Sequence, residues 1–501
     1  MFAMKPALAA LLLIAYATIL VRHVSRAAGG ADSSGYLNEA RLIAAGKQSL
    51  PIELLTTLHL GADWAYIFTP LGFTSSGRVM IPAYPPGLPA HFAIAAAVGG
   101  WAWAPFLVPP IAALACLALM FVLARQFGLG DSAAFGGAAI LAACPVFIFM
   151  AAQPMSDVVA TAWTLAAIVA ALAASRHDVI PTLSASEGEG PVWAGGTKSY
   201  VRTAQPHRFL PFAPLRVGMT ALAGAAFAIS VCVRPSNVLM VIPLAFALRF
   251  RIRLLLIAAA AALPFGIVMM IWNHALFGNA MTTGYGSVSE MVKWSYVRER
   301  LPHYSFWLAA QLTPLVFPLG LFTRRALLWA WFVPLFVFYC FYGAYETWWY
   351  TRFLLPVIPA LIIGFLLIAS RFPRAVVAAL IVAIVGFAVW QDRRLGPLNV
   401  GADEPMYPET IHWAERQLPR DAIVLNQQFS GSFLYYSGRD TVRFDELDND
   451  RFQLLRAYAG AANLRWYALL TPEELEQVRG RFAANWTPLS QHRGMWLMRL
   501  D

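Results

Sequence analysis

Charge is scarce in this chain. Only 13% of its 501 residues are Asp, Glu, Lys or Arg, where an ordinary soluble domain carries about 25%. Hydrophobic residues reach 59%, so a soluble enzyme and a disordered chain are both excluded and a multi-pass membrane protein remains. Cysteine is also sparse. The four present, Cys116, Cys144, Cys232 and Cys340, all lie in apolar runs, which argues against a disulfide framework or a Cys-based metal site. Glycine-rich phosphate loops, paired Cys or His metal spacings and nucleophile elbows are missing, as are internal repeats and low-complexity tracts.

What the chain does have is apolar runs long enough to be spans. A helix rises about 1.5 Å per residue and needs close to 20 residues to cross. Eleven runs qualify, at about 5–21, 104–124, 133–152, 157–174, 217–233, 236–248, 254–272, 305–322, 326–342, 354–370 and 374–390, with 236–248 short. The run 86–103 opens with Tyr84-Pro85-Pro86-Gly87 and closes with Trp101-Ala102-Trp103. That pattern suits a helix at the membrane surface or dipping into it. With the N-terminus inside, the inner segments hold 14 of the 37 basic residues but four of the 27 acidic ones, leaving 23 of each outside. The net charge of +10 therefore falls on one side, as an orientation signal and not a nucleic-acid footprint. The first 28 residues could also be a signal peptide, since Ala27-Ala28-Gly29 is a small-residue site.

Long outer regions follow at 22–103, 273–304 and beyond about 391, and the inner loop 175–216 is rich in Ser, Gly, Pro and Thr and reads as flexible. Residues 392–501 change composition, with 13 basic and 15 acidic residues. Strands are expected at Ala422–Leu425, Thr441–Phe444, Trp466–Leu470 and Met495–Met498, and helices at Asp445–Ala461 and Pro472–Phe482. The expected fold is thus a mainly α multi-pass membrane domain over 1–391, with amphipathic helices in its first outer loop. A small extracytoplasmic α/β domain over 392–501 follows it.

Scattered polar residues converge on the outer face. Asp32 follows the first span, ahead of an amphipathic surface helix from Ser33 to Ala45; Asp32 or Ser33 as that helix's cap is the bland alternative. Asp157, in Gln153-Pro154-Met155-Ser156-Asp157, either complements a helix dipole or serves a function. Arg234, in Arg234-Pro235-Ser236-Asn237, runs against the orientation bias and calls for an anionic partner, unless it snorkels to headgroups. In Tyr345-Glu346-Thr347-Trp348-Trp349-Tyr350-Thr351-Arg352-Phe353 the aromatics suit an interfacial belt, and Glu346 and Arg352 shift the balance towards a ligand platform. A polar loop with Trp272-Asn273-His274, Gly278-Asn279, Gly284-Tyr285-Gly286 and Lys293 suits a cover over a ligand. His59, His274 and His303 are isolated and read as structural. Carboxylates and arginines at a lipid-adjacent cavity fit one reaction class. Moving a sugar from a lipid phosphate to a hydroxyl needs a base for the proton and cations for the departing phosphate.

In their order along residues 1 to about 391, five features carry a resemblance. They are the Asp after the first span, Tyr84-Pro85-Pro86-Gly87-Leu88-Pro89, the Gln-Pro-Met-Ser-Asp turn, Arg-Pro-Ser-Asn, and Trp348-Trp349-Tyr350-Thr351-Arg352-Phe353-Leu354-Leu355-Pro356. The chain resembles the bacterial GT-C-fold glycosyltransferases, a group that includes protein O-mannosyltransferases and the lipid A aminoarabinose transferase. The resemblance implies a polyprenyl-phosphate-linked sugar donor, a glycan, lipid or protein acceptor, and inverting transfer on the periplasmic side of the bacterial inner membrane. By position Asp32 matches the catalytic acid of the first loop and Asp157 the second outer carboxylate. Arg234, Lys293 and Arg352 become donor-phosphate contacts, and Tyr36, Tyr84, Gln153, Glu346, Trp349 and Tyr285 pocket residues. Ser33 stands where several relatives have a second acid, so the base role rests on Asp32 alone and metal assistance is in doubt; a divalent cation beside Asp157 stays open. The rival readings are a transporter or flippase of a lipid-linked or anionic substrate, and a scaffold that displays the tail.

Overall fold

The computed structural model describes residues 6–176, 212–286 and 291–500. Most of the expected flexible inner loop, with Lys198, Arg202 and Arg208, lies outside the described residues. Lipid offers no hydrogen bonds to a backbone, so charge-free runs must close their own as helices. Among the described residues seven helices are long and apolar enough to cross a membrane. The expected span 133–152 forms the pair Asp131–Ala142 and Pro145–Ala151, which is apolar and long enough when taken together and is bent by 66° where Pro145 cannot continue the ladder. The other three expected spans appear as the shorter apolar helices Ala10–His23, Pro235–Ala247 and Ala326–Cys340. The ambiguous run forms Gly87–Gly99. At about 20 Å it falls short of a bilayer core of about 30 Å. The chain is a multi-pass membrane protein.

Burial orders the bundle. The apolar window of Trp348–Ala369 is 89% buried and that of Ser156–Ser175 72%, whereas Ile252–Phe277 is only 11% buried. The first two helices therefore form the centre, and the last presents Leu256, Leu263 and Val268 outwards to lipid. All four cysteines are free thiols.

Beyond the bundle, the tail folds around a five-stranded sheet ordered Val442–Arg443, Ala422–Asn426, Arg465–Leu470, Met495–Leu500, Trp486–His492. The first three strands run parallel and the last two pairings antiparallel. The four expected strands and two expected helices are present; the latter span Asn449–Ala461 and Pro472–Arg481. The last helix opens on a capping box between Thr471 and Glu474. Trp486–His492 and the helix Ser430–Ser437 were not expected. A small antiparallel sheet of the first loop joins Leu50–Pro51, Val79–Pro82 and Phe73–Ser76. Ile52, Phe68 and Phe73 of that loop share one hydrophobic core with Ile423, Phe444 and Phe452 of the tail.

Two readings of the first loop need correction. The helix starts at Gly30 with Gly29 as its N-cap and no side-chain cap, so Asp32 lies in its first turn and caps nothing. Nor does the helix Gly30–Ala44 lie on a surface: every residue from Ser33 to Ala40 is buried. Its polar face is covered by Ser430–Ser437, to which Asn38 Nδ2 donates at the Gly431 carbonyl (2.9 Å) and Arg41 Nη1 at the Tyr435 carbonyl (2.5 Å). Covering that face also buries Glu39 completely, and neither of its carboxylate oxygens finds a hydrogen-bond partner. Burial pushes the Glu39 carboxyl well above its ordinary value. The folded state thus keeps a proton that the unfolded chain releases, and stability is lost as pH rises above the ordinary carboxyl range. Glu39→Gln should therefore raise the melting temperature at pH 8, by an amount that shrinks towards pH 4; thermal unfolding of the detergent-solubilised protein across that range checks it.

Candidate active site

Asp32 owes its position to two glycines. Gly72 adopts φ +91°, and a Cβ there would come within 2.6 Å of the Gly35 Cα, so the first-loop hairpin closes onto the helix only because neither has a side chain. That approach brings Tyr84 to Asp32, and its hydroxyl donates to Oδ1 at 2.6 Å. On the other side Arg352 Nη2 donates to Asp32 Oδ2 at 2.7 Å. Burial alone would raise the Asp32 carboxyl. The Arg352 charge and the Tyr84 hydroxyl outweigh it and hold the group below its ordinary value, hence ionised at neutral pH. Burial, reinforced by the Asp32 charge, holds the Tyr84 hydroxyl protonated and able to donate.

A second pair lies beside the first. Asp157 opens the helix Ser156–Arg176, and Arg234 Nη1 bonds its Oδ1 from the end of Phe212–Val233. Asp157 Oδ2 is buried without a partner. The two pairs are tied together through Tyr36, whose hydroxyl donates to Ser156 Oγ (3.2 Å) while its ring packs 4.5 Å from that of Tyr84. The Asp157 and Arg234 charges both act on Arg352. Arg352 itself sits against the Trp349, Tyr350 and Phe353 rings at 5.2–5.3 Å, so its cationic face is supported by aromatic quadrupoles.

Of the expected site residues, Asp32, Asp157, Arg234, Arg352, Tyr36, Tyr84 and Trp349 come together. Tyr285 joins them, edge-on to Tyr84 at 5.9 Å. Three others do not. Lys293 and Glu346 are exposed. Gln153 turns back on its own helix to the Phe149 carbonyl (3.1 Å).

One residue was missed. Arg300 is buried, with Nε and Nη1 unpartnered and only a 3.7 Å contact from Nη2 to Glu299. Its charge and that of Arg234 both act on Tyr304, whose buried hydroxyl also lacks a partner. The signal was present in Arg298-Glu299-Arg300, an arginine at the edge of an apolar run, as at Arg234. Among the described residues no three His, Cys, Asp or Glu side chains gather as a metal-ligand set.

No protein-family model and no curated protein sequence matches the chain. Solved structures do. ArnT from Cupriavidus metallidurans in the apo state aligns with 98% of this chain and 97% of its own, with TM-score 0.61 and 12% identity. ArnT bound to undecaprenyl phosphate aligns with 99% and 98%, with TM-score 0.59 and 12% identity. The chain has the GT-C fold. The apo oligosaccharyltransferase of Archaeoglobus fulgidus, with TM-score 0.50 and 12% identity, covers 93% of this chain and 70% of its own. The architecture inferred from the ordered motifs is thus met along nearly the whole chain.

Removing one member of a buried pair strands the other's charge, which typically costs about 3–5 kcal/mol. Arg234→Gln alone should therefore lower the melting temperature more than Arg234→Gln combined with Asp157→Asn. A double-mutant thermal series checks this; a double variant less stable than the single would remove the pair from the support of the fold.

Proposed function

We propose that this protein is an integral-membrane glycosyltransferase that moves a sugar from a polyprenyl-phosphate donor to a hydroxyl acceptor, with inversion. Asp32 is the base. The observation that carries this reading is the Asp32 carboxylate clasped between Arg352 and the Tyr84 hydroxyl, with Arg234 and Asp157 beside it.

The acceptor oxygen attacks the anomeric carbon in line. Its proton passes to Asp32, the bond from the anomeric carbon to the phosphate oxygen breaks, and polyprenyl phosphate leaves with that electron pair. In the free protein Arg352 keeps Asp32 a weak base. An arriving donor phosphate draws the guanidinium to itself through charge-assisted bonds, and the carboxylate gains basicity when the donor is in place. Arg234 and the unpartnered nitrogens of Arg300 supply further donors for the departing charge, while Asp157 orients the acceptor. Lys293, exposed in the outer region 273–304, meets the donor at the entrance. By the orientation bias of the basic residues the site faces the periplasm, with the N-terminus cytoplasmic. Undecaprenyl phosphate bound to ArnT supports the donor class, since the two chains share their fold.

The test uses purified protein, a labelled polyprenyl-phosphate sugar and detection of released polyprenyl phosphate. Asp32→Asn should stay folded and lose at least about a hundredfold in turnover, the scale of general-base loss; normal turnover would refute the assignment. Arg300→Gln should raise the donor KM or lower kcat without changing the acceptor KM. Because Tyr84 helps hold the Asp32 carboxyl low, Tyr84→Phe should move the acid limb of kcat/KM to higher pH.

A further inference from the structure

A cavity of about 940 Å³ lies away from the ion pairs, between Pro6–His23, Ala104–Gln126, the bent pair and the end of Arg374–Leu395. It shares no residue with the site above. Alanines line it (Ala118, Ala139, Ala142), with Leu13, Phe121 and Val389 around them. Leu13 and Val389 are also exposed on the bundle surface, so the cavity opens sideways towards lipid. Its character changes at the tail-bearing end, where Asp392, Arg393 and Asn399 complete the lining. Asp392 Oδ1 is buried without a hydrogen-bond partner. Among the described residues no cation pairs with Asp392. Its neighbour Arg394 turns aside to lie 4.0 Å over the Trp390 ring.

Size and charge together identify the occupant. A helix about 10 Å across fills roughly 400 Å³ in each 5.4 Å turn. The cavity would therefore take about two turns, far short of the roughly 20 residues of a membrane-crossing helix. An acyl chain is thin and flexible enough to enter. At the polar end, a carboxylate lacking a partner and an exposed guanidinium are adjacent in sequence. They present an acceptor and a donor side by side, as a headgroup with both an ammonium and a phosphate requires. A primary ammonium also relieves the penalty of a half-buried, unpaired carboxylate.

We infer that this cavity binds one diacyl phospholipid of the tail-side leaflet with a primary-ammonium headgroup, a phosphatidylethanolamine. An acyl chain lies along Ala139 and Ala142, the ammonium meets Asp392, and the phosphate meets Arg393 and Asn399. This inference rests on the membrane-embedded fold alone and stands whether or not the protein transfers a sugar.

The full chain is reconstituted with equimolar phosphatidylethanolamine, phosphatidylcholine and phosphatidylglycerol of identical acyl chains and then stripped with detergent. Mass spectrometry counts the lipid retained. Wild type should retain phosphatidylethanolamine at least threefold over either of the others. Asp392→Asn should keep a bound lipid and lose the preference over phosphatidylcholine, because only the ammonium carries N–H donors for the carboxylate. Ala139→Phe should fill the cavity and lose the retained lipid while its melting curve stays cooperative. No preference in wild type, a preference that survives Asp392→Asn, or undiminished lipid in Ala139→Phe would each overturn the assignment. So would a co-purifying polypeptide crosslinked at position 139 in place of lipid.

Discussion

Two buried ion pairs set the terms on which this molecule is built. Withdrawing an ion from water costs several kcal/mol even after relaxation, and four ions are withdrawn here: Asp32, Arg352, Asp157 and Arg234. Their side chains are 30%, 8%, 1% and 12% exposed. Each is tolerable only while its partner stays within bonding distance, and the partners are far apart in sequence. The Asp32–Arg352 contact joins the first loop to the most buried apolar segment, and the Asp157–Arg234 contact joins the ends of two neighbouring spans. Well-packed apolar residues would serve stability as well or better. Such a concentration of charge therefore makes most sense as charge held ready for a ligand whose own charge rearranges the pairs. Asp157, Arg234 and Arg352 lie at or near the ends of apolar helices and Asp32 in the first loop, which lowers the cost of holding them relative to the bilayer centre.

The helix bearing Asp32 is outside the bundle, so lipid packing cannot position it. It hangs from a short tether, where Ser25 N–H reaches the Ala152 carbonyl at 2.7 Å. It is pressed onto the bundle by the tail. Ser432 Oγ donates to the Ala28 carbonyl, Tyr436 accepts from the Ala28 N–H, and Gly431 packs where a Cβ would strike Ser34 Oγ and the Leu71 carbonyl. The tail and the first loop thus behave as one body with a common apolar core, although nearly three hundred residues, the whole of 104–391, separate them in sequence. A tail that supports the carboxylate explains why a membrane protein would keep a soluble-looking sheet that contributes no group to the ion pairs.

Much of this could be read from the residues. Charge-free runs announce spans because lipid leaves a backbone one way to satisfy itself, and the tail strands announce themselves as short apolar runs between turn residues. Asp32, Asp157, Arg234 and Arg352 were legible because a charge beside an apolar segment is expensive wherever it occurs. Burial by distant chain was not legible. Gly30–Ala44 has the amphipathic pattern of a surface helix, and nothing within it says that Ser430–Ser437 will take the place of water. Arg300 was legible by the same rule, a charge at the edge of an apolar run, and was passed over. Lys293 and Glu346 show the opposite case: their residue types suit the chemistry, and both side chains stand in solvent outside the cluster of ion pairs.

The two interrupted helices bear on whether the polar residues form a conduit instead of a reaction site. Broken spans are where transporters place their substrates, with freed backbone groups lining a cavity near the midplane. Here one break lies at Cys144-Pro145 and the other at Thr313-Pro314, where Thr313 takes φ 70° inside Val297–Leu321. The breaks are joined to each other. Gln311 accepts from the Val146 N–H at 3.0 Å, the donor freed at the first break, and donates to Thr351 Oγ1 at 2.7 Å. Both glutamine ends are thus used within the protein, and Gln311, Thr313 and Thr351 are all buried. Such a stitched junction fixes Trp348–Val357, and with it Arg352, against the centre of the bundle. The interruptions hold the site's guanidinium in place, where an alternating-access device would need them free to part.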